Sequence, residues 1–263
     1  MKKSLIALAV AGAISVPAIA QEAASPHTFT GNVTIASDYV FRGISQTQHK
    51  PAIQGGFDYS HASGFYAGIW SSNVAWVKEG GFKDNSSLEV DVYGGYRGAI
   101  GDFGYDVGAL HYYYPGDTNT TNNFPNPDST EVYVGVSWKF LSLKYSHAVS
   151  SHLFGWVNPT SNEKSRGSNY LDLTATHDFG NGWGGVAHVG RQTIKNYSDA
   201  SYTDWKIGVT KDLGFGVAGL TYTDSNAKGS CPFVNTQPYC WGTAPRDKDV
   251  SESRVVLSFS KSF

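Results

Sequence analysis

Polar and apolar side chains alternate with period two through most of the chain, beginning with Phe29 to Gly43, FTGNVTIASDYVFRG. Phe29, Gly31, Val33, Ile35, Ser37, Tyr39 and Phe41 share one parity, and Thr30, Asn32, Thr34, Ala36, Asp38, Val40 and Arg42 the other. Successive side chains of a strand point to opposite faces, so the alternation predicts a strand lying between two different media. The stretch exceeds the roughly 9 to 11 residues with which a tilted strand crosses a bilayer, and its apolar face carries no charge.

The same pattern recurs downstream. Ile53, Gly55, Phe57 and Tyr59 oppose Gln54, Gly56, Asp58 and Ser60, and Leu88, Val90, Val92, Gly94 and Tyr96 oppose Glu89, Asp91, Tyr93, Gly95 and Arg97. Tyr105, Val107, Ala109, His111 and Tyr113 oppose Asp106, Gly108, Leu110, Tyr112 and Tyr114. Between residues 131 and 148 the phase slips: Val132, Val134, Val136 and Trp138 have one parity, Leu141, Leu143, Tyr145 and His147 the other. A two-residue turn at Lys139-Phe140 restores them to one face by pairing Trp138 with Leu141, Val136 with Leu143 and Val134 with Tyr145. Leu171, Leu173, Ala175 and His177 then oppose Tyr170, Asp172, Thr174 and Thr176, while Trp205, Ile207 and Val209 oppose Asp204, Lys206 and Gly208. Further strands are predicted at 215–224 and 254–263, and at 65–74 and 183–192, where the inward parity stays open. In the first of those two, Phe65 and Ile69 compete with Tyr66 and Trp70 for the apolar side.

Twelve strands result, joined alternately by connections of about nine to thirty and about two to six residues. A soluble sandwich has no reason to sort its connections by length, whereas a membrane barrel with short periplasmic turns and long extracellular loops does. The pattern predicts an all-β, transmembrane antiparallel up-and-down barrel of about twelve strands, apolar face to lipid and polar face to a lumen.

The first residues, MKKSLIALAVAGAISVPAIA, place Lys2 and Lys3 ahead of an apolar stretch that ends in Ala18-Ile19-Ala20. That is the pattern of a secretory signal peptide (1–20) cut after Ala20, and the stretch is shorter than the ~20 residues of a spanning helix. The mature chain, 21–263, suits one barrel domain exported to the bacterial outer membrane. A mean hydropathy of -0.29 agrees, because only alternate residues of a barrel strand meet lipid. Formal net charge is -2 and no Lys/Arg cluster appears, which argues against a nucleic-acid partner. Cys231 and Cys240 fit an oxidising compartment, where they are expected to form one local disulfide tethering an external loop.

Ser37-Asp38-Tyr39-Val40-Phe41-Arg42-Gly43-Ile44-Ser45-Gln46, then Gly64-Phe65-Tyr66-Ala67-Gly68-Ile69-Trp70-Ser71-Ser72-Asn73-Val74, resemble the proteobacterial TorF family of porin-like proteins. Glu131 to Ser137 and the tail Ser260-Lys261-Ser262-Phe263 do so too, so the likeness spans most of the mature chain. The resemblance implies an outer-membrane pore and carries no settled substrate or catalytic residues. The terminal Phe263 also resembles the signal by which outer-membrane proteins engage the barrel-assembly machinery, although Lys261 departs from the apolar residue usual two places earlier.

On the lumen parity lie Asp38, Arg42, Asp58, Glu89, Asp91, Arg97, Asp106, Glu131, Lys144, Asp172, Asp204, Lys206 and Arg254, eight acids and five bases. They can line a narrow, weakly cation-attracting channel for small hydrophilic solutes, or pair across the lumen as a polar plug; both alternatives stand. Gly214-Phe215-Gly216-Val217-Ala218-Gly219 matches G-x-G-x-x-G, but a turn precedes it and a strand follows, which is the wrong context for a nucleotide, and no cofactor is expected. The histidines show no metal-ligand spacing, and His111, His147 and His177 fall near strand ends, where interfacial placement is expected. A lipid-cleaving barrel needs His and Ser together near the outer leaflet, and the one His-x-Ser, His61-Ala62-Ser63, falls at a predicted periplasmic turn. An adhesive or structural surface role, resting on loops 151–168 and 225–253, is the remaining class. The sequence leaves the solute and the oligomeric state open.

Overall fold

A computed structural model describes residues 25–118, 124–232, 234–242 and 245–263; the expected signal peptide and its cleavage after Ala20 lie outside them. Twelve strands form a closed antiparallel barrel: His27–Ala36 (β1), Ala52–His61 (β2), Phe65–Asn73 (β3), Leu88–Ile100 (β4), Phe103–Tyr113 (β5), Ser129–Trp138 (β6), Leu141–Ala148 (β7), Asn169–Gly180 (β8), Trp183–Thr193 (β9), Tyr202–Asp212 (β10), Val217–Ser225 (β11) and Arg254–Ser262 (β12). Each pairs with its sequence neighbours. β1 pairs with β2 on one side and β12 on the other, with Val33 opposite Lys261 and Ile35 opposite Phe259. Phe263 extends the seam through two backbone hydrogen bonds with Gly31, of 2.8 and 2.9 Å. Closure satisfies every edge, which a strand crossing hydrocarbon requires.

Short turns join the strands at one end of the barrel and long loops at the other. The turn at Lys139-Phe140 has the predicted register, Trp138 opposite Leu141 and Val136 opposite Leu143, with Lys139 at φ 54°. Outward positions form an apolar belt that includes Phe57, Ile69, Val92, Val134, Leu173, Ile207 and Leu257, all exposed. A belt of this kind needs lipid, so the barrel is transmembrane, with periplasmic turns and extracellular loops.

Both open parities are now fixed. Phe65, Ala67 and Ile69 of β3 point outward, while Tyr66, Trp70 and Ser72 point in. On β9 Ala187, Val189 and Arg191 point outward, and Val186, His188 and Gln192 point in.

One prediction needs correction. The first strand does not continue to Gly43: it ends at Ala36, and residues 37–51 fold into the barrel. Tyr39 and Phe41, which alternation assigned to the lipid face, are packed inside, Tyr39 only 6% exposed. Alternation cannot detect this departure, because lipid and an apolar interior accept the same side chains.

The interior core sits within the loop end of the barrel. It gathers Tyr39 and Ile44 from the first loop, Trp76 and Val77 from the one-turn helix Trp76–Glu79, and Tyr114 from the third loop. Leu153 of the fourth loop, Ile194 and Tyr197 of the fifth, and Tyr239, Trp241 and Val250 of the sixth also belong to it, with Phe82, Tyr112 and Tyr202 packed among them.

Candidate functional site: an inward hairpin at the top of the bore

The inward segment is a miniature hairpin. Val40 pairs with Ser45 and Phe41 with Ile44, and the two residues between, Arg42 and Gly43, have φ of 48° and 76°. Positive φ at both central residues is the type I′ arrangement that matches strand twist. Gly43 is required at the tip, since a Cβ there would lie 2.5 Å from Asp204 Cβ on the barrel wall.

The tip carries Arg42 across the bore. Its guanidinium donates to both carboxylate oxygens of Glu131 on β6, at 3.0 and 2.7 Å, and to Gln192 Oε1 on β9 at 2.8 Å. It lies 4.3 Å from the Tyr170 ring centroid, while Tyr112 donates to Glu131 at 3.0 Å. Both ionic side chains are nearly inaccessible, at 8% and 1%. A buried charge is tolerated only when paired and hydrogen-bonded, and a bidentate guanidinium–carboxylate fork meets both conditions. The network continues along the wall. Tyr170 donates to Asp204 at 2.9 Å, and His188 bridges Asp204 at 3.0 Å and Asp172 at 3.3 Å.

At the hairpin base Ser45 donates to Asp38 at 2.7 Å, and Arg254 of β12 pairs with Asp38 at 3.2 Å. Tyr39 donates to Glu89 of β4 at 2.7 Å. Above these contacts the aromatic plug closes over the bore. Trp76 packs on Tyr114 and Trp241, with centroids 5.0 and 5.7 Å apart, and Tyr112 on Phe154 at 4.9 Å. Backbone bonds tie the loops together: Ala75 N–H donates to Gln46, and Gly242 N–H to Glu79. The space left among Phe41, Ile44, Trp76, Tyr114, Tyr239 and Trp241 is about 40 Å³, room for one or two waters. A disulfide joins Cys231 to Cys240, next to Trp241, with Cα atoms 5.3 Å apart.

Towards the periplasm the charged side chains of the bore are more accessible. Tyr93 donates to Asp58 at 2.5 Å and Tyr66 to Asp106 at 2.6 Å, while Lys144 lies 3.8 Å from the Tyr133 centroid and Arg97 lies 4.9 Å from that of Tyr66. All of these side chains are half-buried. At the charged positions the change is visible along single strands: Glu89 and Asp91 are buried but Arg97 is not, and Asp204 is buried but Lys206 is not, although the uncharged Val186 and Thr210 nearer the short turns are buried again.

A family model described as "Bacterial protein of unknown function (Gcw_chp)" matches residues 20–263. The chain belongs to the Gcw_chp family. No curated protein matches it. Among solved structures this Gcw_chp chain is similar to the KdgM porin, at 8% identity and a TM-score of 0.52, over 89% of this chain and 99% of that one. It is equally similar to the NanC porin, at 13% identity and the same TM-score, over 89% and 98% of the two chains. At such identities the likeness is one of fold, and the fold is that of outer-membrane porins.

The thirteen charged positions singled out by parity in the Gcw_chp chain are all buried or half-buried, but they do not act as one set. Arg42 with Glu131 and Asp38 with Arg254 are locked in pairs at the plug; Glu89 and Asp91 are covered by it; the rest lie along the wall. Sequence reasoning did not single out Gln192, His188, Tyr112, Tyr170 and Tyr39, which complete the network. Tyr112 and Tyr170 carried the lumen parity, whereas the β9 pair lay on a strand of open phase. His61 and Ser63 do meet, Ser63 Oγ lying 2.6 Å from His61 Nδ1, but the Ser63 backbone N–H donates to the same nitrogen at 3.2 Å, and the contact closes an exposed periplasmic turn.

Proposed function

We propose that this chain is an outer-membrane porin-like channel for small hydrophilic solutes, held closed at its extracellular half by the inward hairpin and the aromatic plug. The observation that carries this reading is the burial gradient of the charged side chains along the bore, from the dry Arg42–Glu131 fork to the half-buried Asp58, Asp106 and Lys144. A twelve-stranded bore lies between eight strands, which side chains fill, and sixteen, which leave a water channel. Loops that must move to let solute through are then the natural gate.

In the proposal, residues 1–20 are a signal peptide cleaved after Ala20, 21–263 form one domain, and the strand ending at Phe263 serves assembly. Conduction through the opened bore favours small cations modestly. Once the two ion pairs are set aside, Asp58, Glu89, Asp91, Asp106, Asp172 and Asp204 face Arg97, Lys144, Lys206 and the His188 that bridges Asp172 and Asp204. No covalent chemistry enters the reading. The dry plug also fits a non-conducting barrel with a surface role, and liposome swelling with a panel of small solutes separates the two. Swelling by wild type or by plug-weakened variants supports the channel; none from any of them leaves the surface role.

A further inference from the structure

A second site lies outside the bore, on the extracellular rim above β7 to β9. A wide, solvent-open depression of about 600 Å³ lies there, lined by His147 and the exposed Glu163, Lys164, Arg166, Lys195 and Asn196. Three cations meet one carboxylate, and Glu163 is itself hydrogen-bonded by Ser161 at 2.8 Å. Among the described residues, Lys164, Arg166 and Lys195 have no acidic side chain within ion-pair distance. Unpaired cations gathered in one depression repel one another and attract an anion.

The backbone beneath them is fixed from both sides. Arg166 N–H donates to Ser151 O at 3.1 Å, Asn196 Nδ2 to Lys164 O at 3.0 Å, and Lys195 N–H to Ser168 Oγ at 2.9 Å. Gly167, at φ 88°, leaves room for the Lys195 stem, because a Cβ there would lie 3.3 Å from Lys195 Cδ. The backbone is therefore set before a ligand binds, and the ordering still required is that of the exposed Lys164, Arg166 and Lys195 side chains.

Position identifies the ligand's other end. His147 shares its outward face with Leu143 and Tyr145, and Tyr145 is opposite Leu171, which in turn is opposite Arg191. Leu143, Tyr145, Leu171 and Val189 are exposed members of the apolar belt. Arg191 also faces outward, donating to Thr203 Oγ1 at 3.2 Å. The cations therefore stand at the boundary where hydrocarbon gives way to headgroups. We propose that this depression holds a phosphate of a phosphorylated glycolipid of the outer leaflet, its acyl chains lying on Leu143, Tyr145, Leu171 and Val189. The proposal rests on this cation cluster and the transmembrane fold beneath it, and stands whether or not the bore conducts.

The test uses the full mature chain purified in detergent, with binding read by native mass spectrometry against three probes: bis-phosphorylated lipid A, dephosphorylated lipid A and inorganic phosphate. Wild type should bind the bis-phosphorylated form about tenfold or more tightly than the dephosphorylated one, the size of a lost charge-assisted contact. Lys164→Gln, Arg166→Gln and Lys195→Gln together should abolish that preference, with heat-modifiable gel migration reporting an intact barrel; Lys50→Gln with Lys78→Gln should preserve it. In wild type, the preference should collapse at 1 M salt, where the screening length falls to about 3 Å. Equal binding of the two lipids, or a salt-independent preference, overturns the proposal without any variant. Inorganic phosphate displacing the lipid at equal concentration would make this a soluble-anion site and overturn the lipid assignment.

Discussion

The two halves of the bore are built from the same alternating strands and behave as different materials. In the extracellular half the inward side chains meet six loops, so Tyr112, Glu131, Tyr170 and Gln192 are buried, and the ionic groups Arg42, Glu131, Asp38 and Arg254 are paired there while Asp91 Oδ1 is buried without a hydrogen-bond partner. In the periplasmic half no strand connection among the described residues joins the interior core, and Asp58, Arg97, Asp106 and Lys144 stay half-exposed along the wall. The contrast teaches that a twelve-stranded wall does not by itself decide whether a lumen is open. That decision lies with the chain that folds into it, above all with the two-residue tip Arg42-Gly43.

The largest expected effect comes from breaking the fork at that tip. Glu131→Ala leaves the Arg42 guanidinium buried without its partner, which costs roughly 3 to 5 kcal/mol where such pairs are dry. The hairpin should leave the bore, seen as proteolytic nicking within residues 38–50 and as raised conductance. Replacing both residues by Met removes the stranded charge and should return much of the closed state; a double variant as open as the single one would show that the fork is not the latch.

Next in size is the sixth loop. Removing the Cys231–Cys240 bridge, as Cys231→Ala with Cys240→Ala, frees a loop whose closure is worth roughly 3 kcal/mol by the chain-entropy estimate. Amide exchange should rise at Tyr239 to Trp241 while heat-modifiable gel migration stays unchanged, because the bridge ties the exposed Cys231 to Cys240 at the plug and the wall is closed by β1 and β12. Loss of membrane insertion would place the bridge in barrel assembly instead.

A smaller effect is expected in the periplasmic half. Lys144→Gln removes a cation standing 3.8 Å over the Tyr133 ring and should shift reversal potential towards cations in the opened background, leaving gating alone. A change in open probability would mean that the two halves are coupled.

The smallest is a pH effect at the hairpin base. Burial, then the charges of Arg254 and Lys248, push the His49 imidazole down to about 4. A histidine whose folded value lies below the unfolded 6.5 stabilises the plug above 6.5, and that contribution is lost as pH falls towards 4. The neighbouring Asp38 carboxyl, raised by burial, works in the opposite direction, since its protonated form is favoured in the folded plug. Subtracting His49→Asn from wild type isolates the histidine: exchange in residues 38–50 should rise on acidification between these pH values more steeply in wild type. Parallel curves would remove His49 from the mechanism.

The barrel was legible because period-two alternation is enforced wherever one face meets lipid and the other water. Even the phase slip at Lys139-Phe140 could be resolved, since only one register returns Trp138 and Leu141 to a common face. β3 and β9 resisted for a physical reason: Trp70 faces the plug and Val186 the interior, so both faces of each strand accept apolar residues. The hairpin hid behind the same ambiguity, its Tyr39 and Phe41 continuing the alternation of β1 after the chain had left the wall. The available signal was the Arg42-Gly43 pair between Phe41 and Ile44, which suits a tight turn better than a strand interior. What no local pattern contains is the meeting of Arg42 with Glu131 and Gln192, 89 and 150 positions away.

The most direct measurement is planar-bilayer recording of wild type beside Glu131→Ala, with the barrel of each verified by heat-modifiable migration. Wild type is expected to stay closed with rare, brief openings, and the variant to hold a sustained narrow conductance. Sustained conductance of equal size in both would contradict a bore closed by the Arg42 hairpin.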